Sequence, residues 1–401
     1  MRTTWTFLTA GQLTFGPGAV RQVGEIAAKR HWKRVFLVTD PILRSLGYVE
    51  RVTGPLSDSG IVWEVFDGGE PEPSIAAALS ACEQARRFAP DALLGLGGGS
   101  NMDLTKLAAV LLTHRGQPTD YFGFDRVPGP VLPLICLPTT AGTGSEVSHA
   151  AVLTDTANQM KVSTLSNYLR PTVALVDPEF TYACPARISA DSGIDALTHA
   201  IEAYTAVESS ELDFPPGKSC GYEGRFPLGA CLAEEAIRLV GIHLTTVVRE
   251  PHNIPARDAM ALAATLAGIA FSNCGVALVH ALEYPMGGSL HCSHGAGNGL
   301  LLPHVMRFNL PTRVSAFARI AELLGEATDG LSEQAAAERA ITAVDRIRET
   351  IGVPGRIRDL GGKAEQLPEF AEKAAQIKRL LSVNPRAATR EDLLEILRAA
   401  F

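Results

Sequence analysis

The first 185 residues alternate short apolar runs with helical segments, whereas the remainder carries helical segments alone. Few architectures satisfy that order. The runs Arg34–Val38 (RVFLV), 91–94 (DALL), 131–137 (VLPLICL) and 172–176 (TVALV) lack the polar alternation of a half-exposed strand and read as strands buried on both faces. Between them, 74–87 and 102–112 have helical period. Such alternation predicts a parallel sheet with helices on both faces. After Pro185 the strand signals stop. Ala- and Leu-rich segments at 189–207, 229–248, 256–284, 311–326, 332–351 and 389–400 predict an all-helical half, and Thr389 with Asp392 three residues later is a capping-box start. The expected organisation is an α/β domain over 1–185 and a helical domain over 186–401. Residues 208–228, rich in Pro and Gly, read as an irregular excursion between two helices.

Composition narrows the function. Of the 401 residues 46% are hydrophobic and 20% charged, as in an ordinary globular enzyme. A formal charge of −7, with no run of basic residues longer than two, argues against nucleic-acid or anionic-membrane partners. The seven cysteines are scattered without a CxxC pair, which fits a reduced cytoplasm better than a disulfide framework or a cysteine zinc site. The N-terminus lacks the apolar core of a secretory signal. The stretch 259–281 approaches a membrane span in apolar length, but Ser272, Asn273 and His280 lie inside it and Gly268 and Gly275 interrupt it, so a buried core helix is expected.

Three constellations carry chemistry. The cluster Gly95-Leu-Gly97-Gly98-Gly99-Ser100 follows an apolar strand and opens a helix, where free N–H groups and the helix dipole favour a phosphate. Gly-rich strand–helix turns are common, so alone this signal is weak. A dinucleotide fingerprint also wants an acid about 20 residues after the glycines. Here the strand-end acid, Asp40, comes before them. Either this is no dinucleotide site or the strands are wired in another order, and Asp40 equally suits a loop cap. The second constellation, 137–148 (LPTTAGTGSEVS), places small hydroxyl residues after a buried strand, where a polar ligand or a plain Thr-rich turn would fit. The third is the most specific. Asp195 and His199 lie four apart on a predicted helix, sharing one face at a spacing that lets both reach one cation. His280 and His294 follow; a carboxylate with three imidazoles suits Fe²⁺ or Zn²⁺ better than Mg²⁺ or Ca²⁺. His291 and His304 compete for the same role.

Taken together, GGGSNMD (97–103), LPTTAGTGSEV (137–147), GIDALTHAIEAY (193–204) and the pair GVALVHALEYPMGG–HCSHG (275–295) resemble the iron-containing (group III) alcohol dehydrogenase family over nearly the whole chain. The resemblance implies a dehydroquinate synthase-like fold, with an N-terminal α/β domain binding NAD and a helical domain holding one divalent metal. It assigns the metal to Asp195, His199, His280 and His294, excluding His291, and the pyrophosphate to Gly97, Gly98, Gly99 and Ser100 with Asp103 supporting the loop. Thr139, Thr140, Thr143 and Ser148 would line the cofactor groove, Lys161 would reach the nicotinamide ribose, and Asp40 would hold the adenosine ribose and favour NAD over NADP. The implied activity is metal-dependent hydride transfer between NAD and an alcohol or hydroxy acid, in a cytoplasmic homodimer or larger homo-oligomer.

Three departures bear on the substrate. Tyr284 stands where many relatives have a histidine implicated in proton relay; it reads as a proton relay, a pocket wall or a core ring. Glu72 lies between two prolines where relatives commonly carry Asn, and the 208–228 excursion is long. Two rival activities keep the fold: a hydroxyacid–oxoacid transhydrogenase that retains its cofactor, and an NAD-using lyase of the dehydroquinate synthase type.

Overall fold

Among the described residues nine strands form, all between Gln12 and Val176: β1 (Gln12–Phe15), β2 (Arg34–Val38), β3 (Val62–Phe66), β4 (Ala92–Gly97), β5 (Gly123–Phe124), β6 (Leu134–Pro138), β7 (Ala150–Asp155), β8 (Met160–Leu165) and β9 (Val173–Val176). The structure is a computed structural model that describes residues 2–155, 160–212 and 221–401. Six strands make one parallel sheet in the order β1-β9-β6-β4-β2-β3. β7 and β8 pair antiparallel, and β5 joins β8 to complete a small second sheet.

The apolar runs form the sheet interior because both faces are covered. Side chains alternate across a strand, so Phe36, Val38 and Leu93 pack on one face against Leu104 and Leu107, while Val35, Leu37, Leu94 and Leu96 pack on the other against Val52 and Leu56. β1 and β3 are edge strands of four and five residues with partly exposed patterns, and their sequences give no long apolar run. The order answers the wiring question. β2 lies directly beside β4, so Asp40, just past β2, and the glycine loop, just past β4, occupy neighbouring carboxyl ends of the sheet.

The chain divides into two compact units, Leu8–Cys184 and Pro185–Phe401, and residues up to Phe7 group with the second. Trp5 stacks on Phe226 with ring centroids 4.5 Å apart, and Arg2 pairs with Glu223, which holds that first segment to the helical unit instead of the α/β half. The helical unit is built around Ala186–Thr205, Pro227–Arg249 and Ile254–Cys274, packed on one another. Ile254–Cys274 is long and apolar enough to cross a membrane by length and composition, and 67% of its most apolar window is buried.

The expected single helix over 256–284 is in fact two, Ile254–Cys274 and Leu278–Leu290. Gly275 makes the break at φ 113°, where an L side chain is strained, and the Tyr222 ring packs 3.0 Å from where a Cβ would stand. His280 therefore sits in the first turn of a new helix. Residues 213–220, within the 208–228 excursion, lie outside the described residues; Glu208 and Arg225 at its ends form a parallel bridge and an ion pair.

Candidate metal centre and cofactor loop

In the helical unit one ligand atom from each of Asp195, His199, His280 and His294 comes together, all within 4.8 Å of one another. Asp195 and His199 lie one turn apart on Ala186–Thr205, with His199 Nε2 3.8 Å from Asp195 Oδ1. His280 stacks on His199 at 4.9 Å and meets His294 edge-on at 5.3 Å. His294 opens the helix His294–Asn309, which Gly295 lets approach. A Cβ there would stand 1.9 Å from the Asp191 carbonyl oxygen, so only glycine lets this helix start against the one bearing Asp195.

Two buried carboxylates aim the rings. Glu202 Oε2 accepts from His280 Nδ1 at 2.6 Å, while its Oε1 accepts from the Val279 amide at 2.7 Å. Glu283 Oε2 lies 2.6 Å from His294 Nδ1. With the His280 Nδ1 proton held by Glu202, and the Glu283 carboxylate beside His294 Nδ1, the Nε2 lone pairs face the cluster, the arrangement that fixes metal-binding histidines. Sequence reasoning missed both acids, although HAIE (199–202) and HALE (280–283) repeat one spacing. The Asn298 amide donates to the Asp195 carboxylate and favours its charged form, which burial opposes.

Asn298, fully buried, also went unread. Its Nδ2 donates to Asp195 Oδ1 at 2.8 Å and to the Nε2 atoms of His280 and His294, both at 3.2 Å. Its Oδ1 is buried with no hydrogen-bond partner among the described residues. Lone pairs converging on one point from a carboxylate and imidazoles fit a divalent cation of the Fe²⁺ or Zn²⁺ kind. His291 caps Leu278–Leu290 and is exposed, outside the cluster. His304 lies elsewhere on His294–Asn309, where burial and the nearby Arg307 guanidinium push its imidazole down to about 4. Tyr284 is buried one turn after His280 on the same unbroken helix, its ring 6.3 Å from that of His294.

In the α/β unit, Gly98 caps the helix Gly99–Thr113 without any side-chain hydrogen bond, so the first-turn N–H groups are left for a ligand. Gly97 has φ 147°, and a Cβ on it would stand 2.2 Å from Asn101 Nδ2. Ser100 donates to the Pro71 carbonyl, tying the loop to Pro71-Glu72-Pro73, and Glu72 pairs with the buried Lys161 at 3.5 Å. Asp40 is a helix cap after all in one respect: Oδ1 accepts from the Ile42 and Leu43 amides at 2.9 and 3.0 Å. Its Oδ2 accepts from Asn101 Nδ2 at 2.8 Å, which links it to the glycine loop.

The 137–148 segment splits in two. The Thr139 amide donates to the Gly97 carbonyl at 3.0 Å and Thr140 approaches Gly98, so both sit beside the glycine loop. Thr143 lies against Gly99. Ser148 instead accepts at 3.2 Å from Lys106 Nζ, a residue the sequence reading passed over. Lys106 is wholly buried and also donates to Ser145 O and Oγ and to Ala150 O at 2.7–2.8 Å. Asp103 Oδ1 accepts from Ser145 Oγ at 2.6 Å and Oδ2 from the Val152 amide at 2.9 Å, completing that network.

Residues 10–178 match the family described as iron-containing alcohol dehydrogenase, and 224–401 match the C-terminal part of the Fe-containing alcohol dehydrogenase family. The chain is 37% identical over 386 residues to an NAD-dependent methanol dehydrogenase of Bacillus methanolicus, covering 96% of this chain and 97% of that one. It is 38% identical over 389 residues to a 1,3-propanediol dehydrogenase of Citrobacter freundii, covering 96% of both. The crystal structure of a 1,3-propanediol oxidoreductase superposes with a TM-score of 0.92 at 36% identity over the full length of both chains. An alcohol dehydrogenase from Oenococcus oeni gives 0.92 at 33% identity, over 99% and 100% of the two chains.

Proposed function

The chain belongs to the iron-containing alcohol dehydrogenase family, and from that premise we propose that it is an NAD-linked dehydrogenase that interconverts small alcohols or hydroxy acids and their carbonyl forms. The observation that carries this reading is the convergence of four buried or half-buried donor atoms of carboxylate and imidazole type within 4.8 Å. Asp195, His199, His280 and His294 would hold a divalent cation, which would supply Lewis acidity toward a substrate oxygen. A nicotinamide held at the glycine loop would supply the hydride acceptor or donor. Glu202 keeps His280 in one tautomer by accepting its Nδ1 proton, and the Glu283 carboxylate beside His294 Nδ1 favours the same tautomer there. Metal analysis of purified protein, followed by an NAD⁺-reduction screen over alcohols, diols and hydroxy acids, tests the reading. Chelation is expected to abolish turnover and Fe²⁺ or Zn²⁺ to restore it; exchange between two substrates without free NADH would instead assign a transhydrogenase.

Cofactor choice is assigned to Asp40. The first-turn N–H groups after Gly98, with Gly97, Gly99 and Ser100, take the pyrophosphate, while Thr139, Thr140, Thr143 and Lys161 flank the cofactor. Asp103 and Ser148 act one layer below by fixing Lys106. The Asp40 carboxylate accepts from ribose hydroxyls and repels a 2′-phosphate. Asp40→Gly is expected to raise the NADP⁺ to NAD⁺ ratio of kcat/KM at least tenfold, since about 1.4 kcal/mol of lost repulsion suffices. Measuring kcat/KM for both cofactors checks it, and an unchanged ratio removes Asp40 from cofactor selection.

Tyr284 Oη is assigned the proton relay, because its ring stands beside His294 on a helix that continues past His280. A phenol in that place passes a proton along hydrogen bonds and is not a dedicated base. Tyr284→Phe is expected to lower kcat at least tenfold and to shift the pH–rate profile; unchanged kinetics would leave the ring as a pocket wall. Self-association belongs to the same reading and is supported by the exposed Leu13 and Phe15 on the edge strand β1. A reducing compartment such as the cytoplasm is supported by the scatter of the seven cysteines, none in a CxxC pair.

A further inference from the structure

One amide stands where four metal-binding donors converge. Asn298 is fully buried, and its Nδ2 lies 2.8 Å from Asp195 Oδ1 and 3.2 Å from the Nε2 atoms of both His280 and His294. The chemistry fixes which end of the amide faces inward. Glu202 holds the Nδ1 proton of His280, and the Glu283 carboxylate 2.6 Å from His294 Nδ1 favours the proton on that nitrogen, so both Nε2 atoms face inward as acceptors, and Asp195 is an acceptor as a carboxylate. Three acceptors facing one group require its N–H end. Two hydrogens shared among three acceptors leave no N–H unused, while Oδ1 is buried with no hydrogen-bond partner among the described residues. A cation drawn to the same lone pairs would meet the positive edge of the amide.

We propose that Asn298 is a positioning residue that partners the donor cage in its ion-free state and is displaced from those lone pairs by the cation. The inference rests on the metal reading given above. Without such a partner, the Asp195 carboxylate and two imidazole lone pairs would face one another with no protein N–H to satisfy them. The amide supplies neutral N–H groups that hold the cage assembled and gives them up when a stronger partner arrives. Linkage then sets the sign of every test. A group that stabilises the ion-free state more than the loaded one weakens metal binding, so removing it tightens binding while destabilising the ion-free protein.

The experiment compares wild type, Asn298→Leu and Asn298→Asp after chelation. Thermal unfolding of the ion-free proteins is measured, and Zn²⁺ affinity is measured by competition with a chromophoric chelator. Asn298→Leu is similar in size and cannot donate; Asn298→Asp is nearly isosteric, replaces the donor with an acceptor and guards against a packing failure in the first. Both are expected to lower the ion-free Tm by at least 3 °C and to bind Zn²⁺ at least threefold more tightly, with the larger change in Asn298→Asp. Unchanged ion-free Tm, or weaker Zn²⁺ binding in both variants, would overturn the proposal, the second result placing the amide in the loaded state. A wild type that binds no Zn²⁺, or a His199→Ala control that binds as tightly as wild type, overturns the metal reading itself, so the two failures are told apart.

Discussion

His199→Ala will leave a folded protein that neither retains a divalent cation through purification nor reduces NAD⁺ at more than about one-thousandth of the wild-type rate. The magnitude follows from the site. Loss of a residue that only orients a ligand typically costs 10–100-fold in metal affinity, and a ligand contributes more. A thousandfold loss corresponds to about 4 kcal/mol. His199 stacks between Phe271 at 4.3 Å and His280 at 4.9 Å, so the Ala variant also loses packing and its Tm should drop modestly. Metal content per chain and the rate of NADH formation are the measurements. Full occupancy with full activity would show that the cation, if one is needed, is held elsewhere.

Lys106→Met will destabilise the α/β unit by about 3–5 kcal/mol, the usual cost of breaking a buried charged network on one side. Methionine matches the length of the lysine stem but donates nothing. The Ser145 and Ala150 carbonyls, the Ser145 and Ser148 hydroxyls and, at 3.8 Å, the Asp103 carboxylate would lose their shared partner in a fully buried place. Burial drives the Lys106 ammonium below its ordinary pKa, with Asp103 opposing. A domain of this size should show a fall in Tm of about 10 °C. NAD⁺ affinity should fall with it, because the same contacts hold Thr143–Ser148 beside the glycine loop. A Tm within about 2 °C of wild type would mean that solvent or a rearranged loop replaces the lysine.

How much of this was readable without coordinates depends on whether the physics was local. The interior strands were legible because a strand covered on both faces must be apolar at every position, and Arg34–Val38 and Leu134–Pro138 are. The edge strands and the antiparallel pair β7–β8 were not, since half-exposed residues such as Gln12 and Thr14 or Ala150 and Val152 carry no such run. The Asp195–His199 pair was legible because a helix brings residues four apart onto one face. Gathering His280 and His294 with them depended on the family resemblance, since nothing local excludes His291 or His304. Neither Glu202, Glu283 nor Asn298 was found, because each acts on a residue of a distant segment. The helix break at Gly275 was missed for a related reason: a lone glycine in an apolar stretch is tolerated unless something such as Tyr222 packs where its side chain would be.

The manner in which the imidazoles are aimed has a consequence for changing the site. His199 is followed three residues later by Glu202, which orients His280; His280 is followed three residues later by Glu283, which orients His294. The ligands thus form a train of parts, each seated on the one before, and misalignment adds along it as machining tolerances do in an assembly. A substitution that rotates the Ala186–Thr205 helix is inherited by every later ring, whereas a change at Glu283 reaches His294 alone. Alteration of the metal preference by engineering should therefore begin at the tail of the train, at Glu283 and His294, and leave its head untouched.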